Sequence, residues 1–292
     1  MLARTNPDVA NIANVARRPH HAAHPHSVRL VHTSDVHVGN DSRTKEGSEW
    51  PEMALVYLAE VVGLLQAQSA DALLITGDFF DHNRVREELC AMAGVILGRA
   101  GVPVVILPGN HDPYMANSPY VKHRGAFPDN VHIISKEDGE LIVLAEAGVQ
   151  VWGQAHSRYD DFAPVAMPPA WVEHIHDAEG SRPGRPLWRV GVAHGHYVAS
   201  DFEKRYSYLI HDHELEALQA HYVGLGHLEA HTQVGPRSAG AWYAGSPDIS
   251  RGATLIDLTP QGAGVRHVTF GSEPLTVPPL DSEYAPANSP VR

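Results

Sequence analysis

Cysteine is nearly missing: Cys90 is the only one among 292 residues. That excludes a disulfide within the chain and any zinc site built from cysteines. Cys90 falls in an apolar helical pattern, which predicts a buried structural thiol. Long hydrophobic runs are missing too, so no stretch is suited to cross a bilayer as a helix. Residues Met1 to Pro25 have no apolar core of the secretory type, and the expectation is a cytoplasmic protein with no membrane partner. Positive charge is scarce. Lys and Arg number 22 against 34 Asp and Glu, a formal charge of −12. Proteins that coat nucleic acid through bulk electrostatics are ordinarily basic, so this chain is a poor candidate for that class. A nuclease is still allowed, because carboxylates gathered around metal ions carry negative charge that the ions neutralise.

What is present is an ordinary globular mixture, 43 % hydrophobic and 19 % charged, with an excess of histidine at 21 copies. Several histidines sit in a polar, Pro/His-rich opening stretch. Residues 1–26 are therefore expected to be a tail, 27–272 a single domain and the proline-rich 273–292 a second tail. Val28 to His32, Ala72 to Ile75 and Val102 to Leu107 read as strands. Between them, Glu52 to Gln68 and Val85 to Arg99 read as helices, with Pro51 suited to a first helical position. This βαβαβ order implies parallel strands packed against helices. Further short strands are expected at Val131 to Ile134, Leu141 to Leu144, Val149 to Trp152, Arg189 to Ala193 and Tyr222 to Leu225. A helix is expected near Trp171 to Ala178. The pattern predicts one α/β domain of two facing sheets.

Ligands in open α/β sheets bind beyond the carboxyl ends of the strands, and here those ends carry Asp35 and His37, then Asp78 and Asp81, then Asn110, His111 and Asp112. Two later strands end in His194-Gly195-His196 and Gly226-His227-Leu228-Glu229. A single Asp or His after a strand is ordinary turn chemistry. Five successive ends supplying Asp, His and Asn suit divalent ions such as manganese, iron or zinc.

Asp35-x-His37, Gly77-Asp78-x-x-Asp81, Gly109-Asn110-His111-Asp112, a later His and Gly226-His227 resemble the ordered motifs of calcineurin-like metallophosphoesterases. Thr33-Ser34-Asp35-Val36-His37, Gly77-Asp78-Phe79-Phe80-Asp81 and Tyr243-Ala244-Gly245-Ser246-Pro247 look most like the Mre11/SbcD-type nuclease group of that superfamily. The resemblance covers roughly residues 28 to 270. It implies a four-layer sandwich, two facing mixed β-sheets flanked by helices, and a phosphoester hydrolase with two divalent ions and a bridging hydroxide. It further implies that Asp35 and His37 bind the first metal, Asp78 bridges both, and Asn110, His194 and His227 bind the second. His111 would assist the reaction, Asp112 would orient His111, and Asp81 would stand behind the ligands.

The family usually writes Gly-His-x-His at its last motif, and here Glu229 replaces the second histidine. A carboxylate is a competent ligand, so Glu229 is expected to bind the first metal and to favour manganese or iron over zinc. His231 is the alternative, as His196 is to His194, and loss of the first metal is a third reading. His156 is expected at the surface or behind the ligands, and Lys122-His123-Arg124 and Lys204-Arg205 as solvated loop charges. Three functions remain open: a phosphodiesterase on nucleic acid, with the resemblance implying an ATPase partner; a hydrolase of small phosphoesters; and a non-catalytic scaffold. The acidic charge and the short stretch after Phe270, where partners of the nuclease group usually bind, favour small substrates.

Overall fold

The first half of the chain follows the alternation read from its periodicity. The computed structural model describes residues 27–40, 52–167, 169–176, 183–199 and 206–271. The expected tails, Pro51 and the Lys204-Arg205 pair lie outside these residues. Strands Val28–Thr33 (β1), Ala72–Thr76 (β2), Val104–Leu107 (β3) and Val131–Ile133 (β4) are parallel neighbours. Helices Met53–Ala67 (α1) and Glu87–Gly98 (α2) connect the first three. Cys90 is buried in α2, where burial pushes its thiol up to about 12.

The chain then builds a second sheet from Glu140–Leu144 (β5) and Val149–Gly153 (β6). His174–His176 (β7) and Pro183–Pro186 (β8) form a small separate ribbon. Trp188–His194 (β9), His196–Tyr197 (β10), Leu209–Ile210 (β11), Tyr222–Gly226 (β12), Thr232–Val234 (β13) and Ala241–Tyr243 (β14) follow. Gly252–Thr259 (β15) and Gly262–Thr269 (β16) return to the first sheet as an antiparallel hairpin. The sheet orders are β16-β15-β1-β2-β3-β4 and β13-β14-β12-β9-β6-β5. Both are mixed, and the fold is α/β with two facing sheets.

Alternation along each strand sets the layers. Val28 and Leu30 of β1, with Leu74 and Val105, pack against Val151, Val190 and Val192 of the second sheet. Val31, Leu73, Ile75 and Ile106 point the other way, onto Leu55, Leu58, Leu65 and Ile96 of the helices. The outer face of the second sheet is covered more thinly, by Val165, Leu215 and Leu218. No helix among the described residues is long and apolar enough to cross a membrane.

Of the helix expected near Trp171 to Ala178, residues 171–176 are described and are not helical; 177 and 178 lie outside the described residues. Residues 169–173 have no regular structure and β7 follows them. The side-chain amide of Gln150 takes the place of helical partners: it donates to Val172 O at 2.8 Å and accepts from Val172 N at 2.8 Å. Trp171 Nε1 donates to Leu218 O at 2.8 Å. Hydrogen bonds to the neighbouring sheet outweigh local periodicity, a tertiary override of a weak helical signal.

Candidate metal centre

The candidate residues come from both sheets and meet at one edge of the sandwich. The loops leaving β1 and β2 run side by side: Asp35 N donates to Gly77 O at 3.1 Å and His37 N to Asp78 O at 3.0 Å. Asp35, His37 and Asp78 have φ of 54°, 55° and 50°, and His227 after β12 has 98°. Side chains other than glycine seldom occupy this left-handed region, and residues held there gather at functional sites. Two glycines permit the close approach. A Cβ on Gly77 would stand 1.9 Å from His194 Nδ1, and one on Gly109 would stand 2.2 Å from Asp78 Oδ1.

One half of the centre is tightly closed. His194, the last residue of β9, hydrogen-bonds through Nδ1 to Thr76 O at 2.9 Å, which places the proton on that nitrogen. Its Nε2 lies 3.0 Å from Asn110 Oδ1 and 3.2 Å from Asp78 Oδ2. His227 Nδ1 lies 3.1 Å from the same Asn110 oxygen. The ligand atoms of Asp78, His194 and His227 all fall within 4.8 Å of one another.

The other half brings Asp35, His37 and Asp78 together within the same 4.8 Å, so Asp78 belongs to both groups. Asp35 Oδ2 accepts from His227 N at 3.1 Å, and Asp78 Oδ1 accepts from His111 N at 2.9 Å. His37 Nδ1 lies 3.2 Å from Asp81 Oδ1, yet it is buried without an aligned hydrogen bond. A third group joins His37, Asp81 and His111. The His111 ring crosses that of His37 edge-on at 4.9 Å, and its Nδ1 bonds Asp81 O at 3.0 Å.

The electrostatics call for cations. Asp35 and Asp78 are each 2 % exposed. Burial pushes the Asp35 carboxyl up. Burial acts the same way on Asp78, but the neighbouring His194 outweighs it and holds Asp78 well below the carboxylate range. Burial by itself would lower His194, yet Asp78 and Asp35 raise it to about 9. A buried histidine made more basic marks a place where positive charge is demanded. His227 goes the other way, to about 4, through burial and the nearby His194. Oxygen and imidazole donors around buried carboxylates therefore fit divalent ions, which replace the protons on such ligands.

Asp112 stands apart from the expectation that it orients His111. It is fully buried, and its oxygens accept from Phe80 N at 2.9 Å, Gly109 N at 2.7 Å and the Tyr120 hydroxyl. It ties the loops after β2 and β3 together, while the Asp81 carbonyl orients His111. Burial, with Asp78 nearby, raises Asp112 to about 6.

Glu229 is exposed and belongs to none of the three groups found among the described residues; its carbonyl accepts from Ser246 N at 3.2 Å. His231 turns away, bonding Thr254 Oγ1 at 2.8 Å and stacking on Trp242 at 5.1 Å. Ser246 N holds the Glu229 carbonyl and Thr254 holds the His231 ring, and neither side chain joins the gathered donors. His196 stacks on Tyr206 and also lies outside the groups.

His156 is fully buried rather than at the surface, and its Nε2 bonds His194 O at 2.9 Å. His32 is another buried histidine: it bonds Tyr222 Oη at 2.8 Å and Thr76 Oγ1 at 2.7 Å, directly behind the carbonyl that holds His194. Burial, with a smaller contribution from a histidine nearby, lowers both to about 3. His156 has a sequence signal, since it follows β6 as the other site residues follow their strands. His32 has none beyond its place at a strand end.

Residues 28–232, more than half of the chain, match the calcineurin-like phosphoesterase family. The chain belongs to that family. The calcineurin-like phosphoesterases are metal-dependent phosphoester hydrolases, in keeping with the donors gathered here. The chain is similar to an SbcCD nuclease subunit of Bacillus subtilis, 27 % identical over 80 % of this chain and 67 % of that one. It is also similar to the corresponding SbcCD nuclease subunit of Rhodobacter capsulatus, 33 % identical over 30 % of this chain and 22 % of that protein's length. Among solved structures, TT1561 of Thermus thermophilus aligns with a TM-score of 0.49 at 14 % identity, covering 82 % of this chain and 98 % of that one. A dimetal phosphatase from Danio rerio aligns with a TM-score of 0.48 at 13 % identity, covering 84 % of this chain and 99 % of that one.

Proposed function

We propose that this calcineurin-like phosphoesterase is a two-metal phosphodiesterase acting on nucleic acid in the manner of an exonuclease. The observation that carries the two-metal reading is the position of Asp78, a buried carboxylate common to two ligand groups. Asp78, Asn110, His194 and His227 would hold one ion, and Asp35, His37 and Asp78 the other. Two such ions supply the positive charge that clamps a phosphate and the Lewis acidity that lowers the pKa of water at the site. Three oxygen donors, Asp35, Asp78 and Asn110, mixed with three imidazoles suit manganese, iron or zinc.

The protein's own groups divide the remaining work. The Thr76 carbonyl fixes the His194 tautomer, so that Nε2 is the nitrogen left for a ligand role. The Asp81 carbonyl does the same for His111, leaving Nε2 to face a phosphate oxygen, to which it can donate a proton or hydrogen bond only when the ring carries protons on both nitrogens. Asp112, through Phe80 and Gly109, keeps the two loops that carry Asp78 and His111 in register.

The likeness to nuclease subunits supports nucleic acid as the substrate, and by the same likeness a partner protein. The formal charge of −12 favours a second reading, small phosphodiesters. Metal analysis, followed by hydrolysis of bis-p-nitrophenyl phosphate, p-nitrophenyl phosphate and single- and double-stranded oligonucleotides with manganese, iron or zinc, tests these readings. Diester and strand cleavage is expected. Cleavage of the small diester alone would select the second reading, and absence of both metal and turnover would leave a scaffold.

A further inference from the structure

A row of rings leads outward from the candidate metal centre and nothing in the proposed chemistry uses it. His227 lies edge-on to His196, with ring centres 6.2 Å apart and planes at 88°. His196 in turn stacks nearly parallel on Tyr206, at 3.9 Å and 19°. Tyr206 remains 46 % exposed although one face rests on His196. The stack is held from behind. His196 N donates to Tyr208 O at 2.9 Å, and β10 pairs with β11. An exposed aromatic ring fixed in orientation, one side chain beyond a candidate ligand, is arranged to receive another planar ring.

We propose that Tyr206 is a stacking platform for the nucleobase adjoining the phosphate that is hydrolysed, which makes a nucleotidyl diester the preferred substrate. The proposal rests on the phosphodiesterase reading above and narrows its substrate class. In a nucleotide the base is one sugar away from its phosphate, and Tyr206 is one ring away from His227. Stacking on an aromatic ring does not depend on the charge of the protein, so it suits a chain whose formal net charge is −12 and whose overall field does not favour phosphates. Stacking also tolerates any base, because each presents a π-face.

The test compares thymidine 5′-(p-nitrophenyl phosphate) with methyl p-nitrophenyl phosphate, which share a leaving group and differ in the nucleoside, sugar and base together, the base being singled out by the proton shifts below. Tyr206→Ala should lower kcat/KM for the nucleotidyl ester by about 10-fold or more through KM, leave the methyl ester unchanged, and be rescued by Tyr206→Phe. A short single-stranded oligothymidylate separates the two sources of base: an equal loss on the strand assigns the platform to nucleic-acid ends, and no loss there assigns it to small nucleotide diesters. Thymidine monophosphate binding, followed by upfield shifts of its base protons, gives a readout without turnover. Loss of those shifts in Tyr206→Ala supports the platform even if neither ester is hydrolysed, an outcome that would sink the phosphodiesterase reading alone. Equal losses on both esters, or base shifts unchanged in Tyr206→Ala, overturn the platform.

Discussion

The two halves of the candidate metal centre are built to different standards. Around His194 the donors are tied together: Thr76 O stands behind the ring, His156 behind the carbonyl, and the Asn110 side-chain oxygen is shared with His227. Around His37 the set is looser. Its Nδ1 lies 3.2 Å from Asp81 without hydrogen-bond alignment, and the residue at the family's last histidine position, Glu229, is outside the gathered donors. Outer contacts that fix a ligand's tautomer and direction raise metal affinity. If both halves hold an ion, as proposed, the difference predicts that one would be bound tightly and one weakly, with Asp78 common to both sets.

Asp78→Asn should break both halves at once, because a neutral amide cannot balance two cations. Metal content is expected to fall to near zero and turnover by about 10³-fold or more, measured by metal analysis and diester hydrolysis on protein with an unchanged circular dichroism spectrum. Retention of both ions with normal turnover would remove Asp78 from the shared position.

Breaking each half separately sharpens the contrast. His194→Ala should abolish the tight phase of a calorimetric manganese titration, whereas His37→Ala should abolish only the weak one. Identical isotherms for the two variants would mean that the halves do not differ in affinity.

His111→Ala leaves both halves in place. Turnover should drop by about 10²-fold, the scale of losing a positioned acid, with metal stoichiometry unchanged. Loss of an ion from this variant would instead make the His37, Asp81 and His111 group a real ligand set.

Glu229→His tests whether the weak half lacks only a donor. It should tighten the weak phase by about 10-fold, within the range of ligand-shell changes, while Glu229→Ala and His231→Ala should change metal binding little. A strong loss of the weak ion in Glu229→Ala would restore Glu229 as a ligand.

The smallest effect concerns stability behind the tight half. His32 is lowered to about 3, chiefly by burial, below its value of about 6.5 when unfolded. The folded state therefore binds fewer protons than the unfolded one between these values. The stabilising contribution of neutral His32 is complete above the unfolded pKa and declines as pH falls toward the folded one. Urea midpoints at pH 7 and pH 5 should differ less in His32→Gln than in the parent protein. An equal difference would show that His32 titrates normally.

The parallel core and the motif residues at its strand ends were legible in the sequence, because both follow from short-range rules. Apolar runs such as Ala72 to Ile75 mark buried strands, and sites form where parallel strands end. Asp35, His37, Asp78, Asn110, His194 and His227 all stand at or just beyond such ends, which is the part that chain order could place. Three features that the structure places differently from the sequence expectation depend on partners distant in sequence. Residues 169–173 form no regular element, and Gln150 holds Val172. Asp112 serves Phe80, Gly109 and Tyr120 rather than its neighbour His111. Glu229 and His231 lie where Ser246 and Thr254 hold their backbone and ring. Sequence by itself determined the family, the strand order of the first half and the candidate donors, since strand period and loop position decide those. Only the tertiary structure decided which donors converge and which histidines lie behind them, because the hydrogen bonds that aim a side chain join residues the chain order keeps apart.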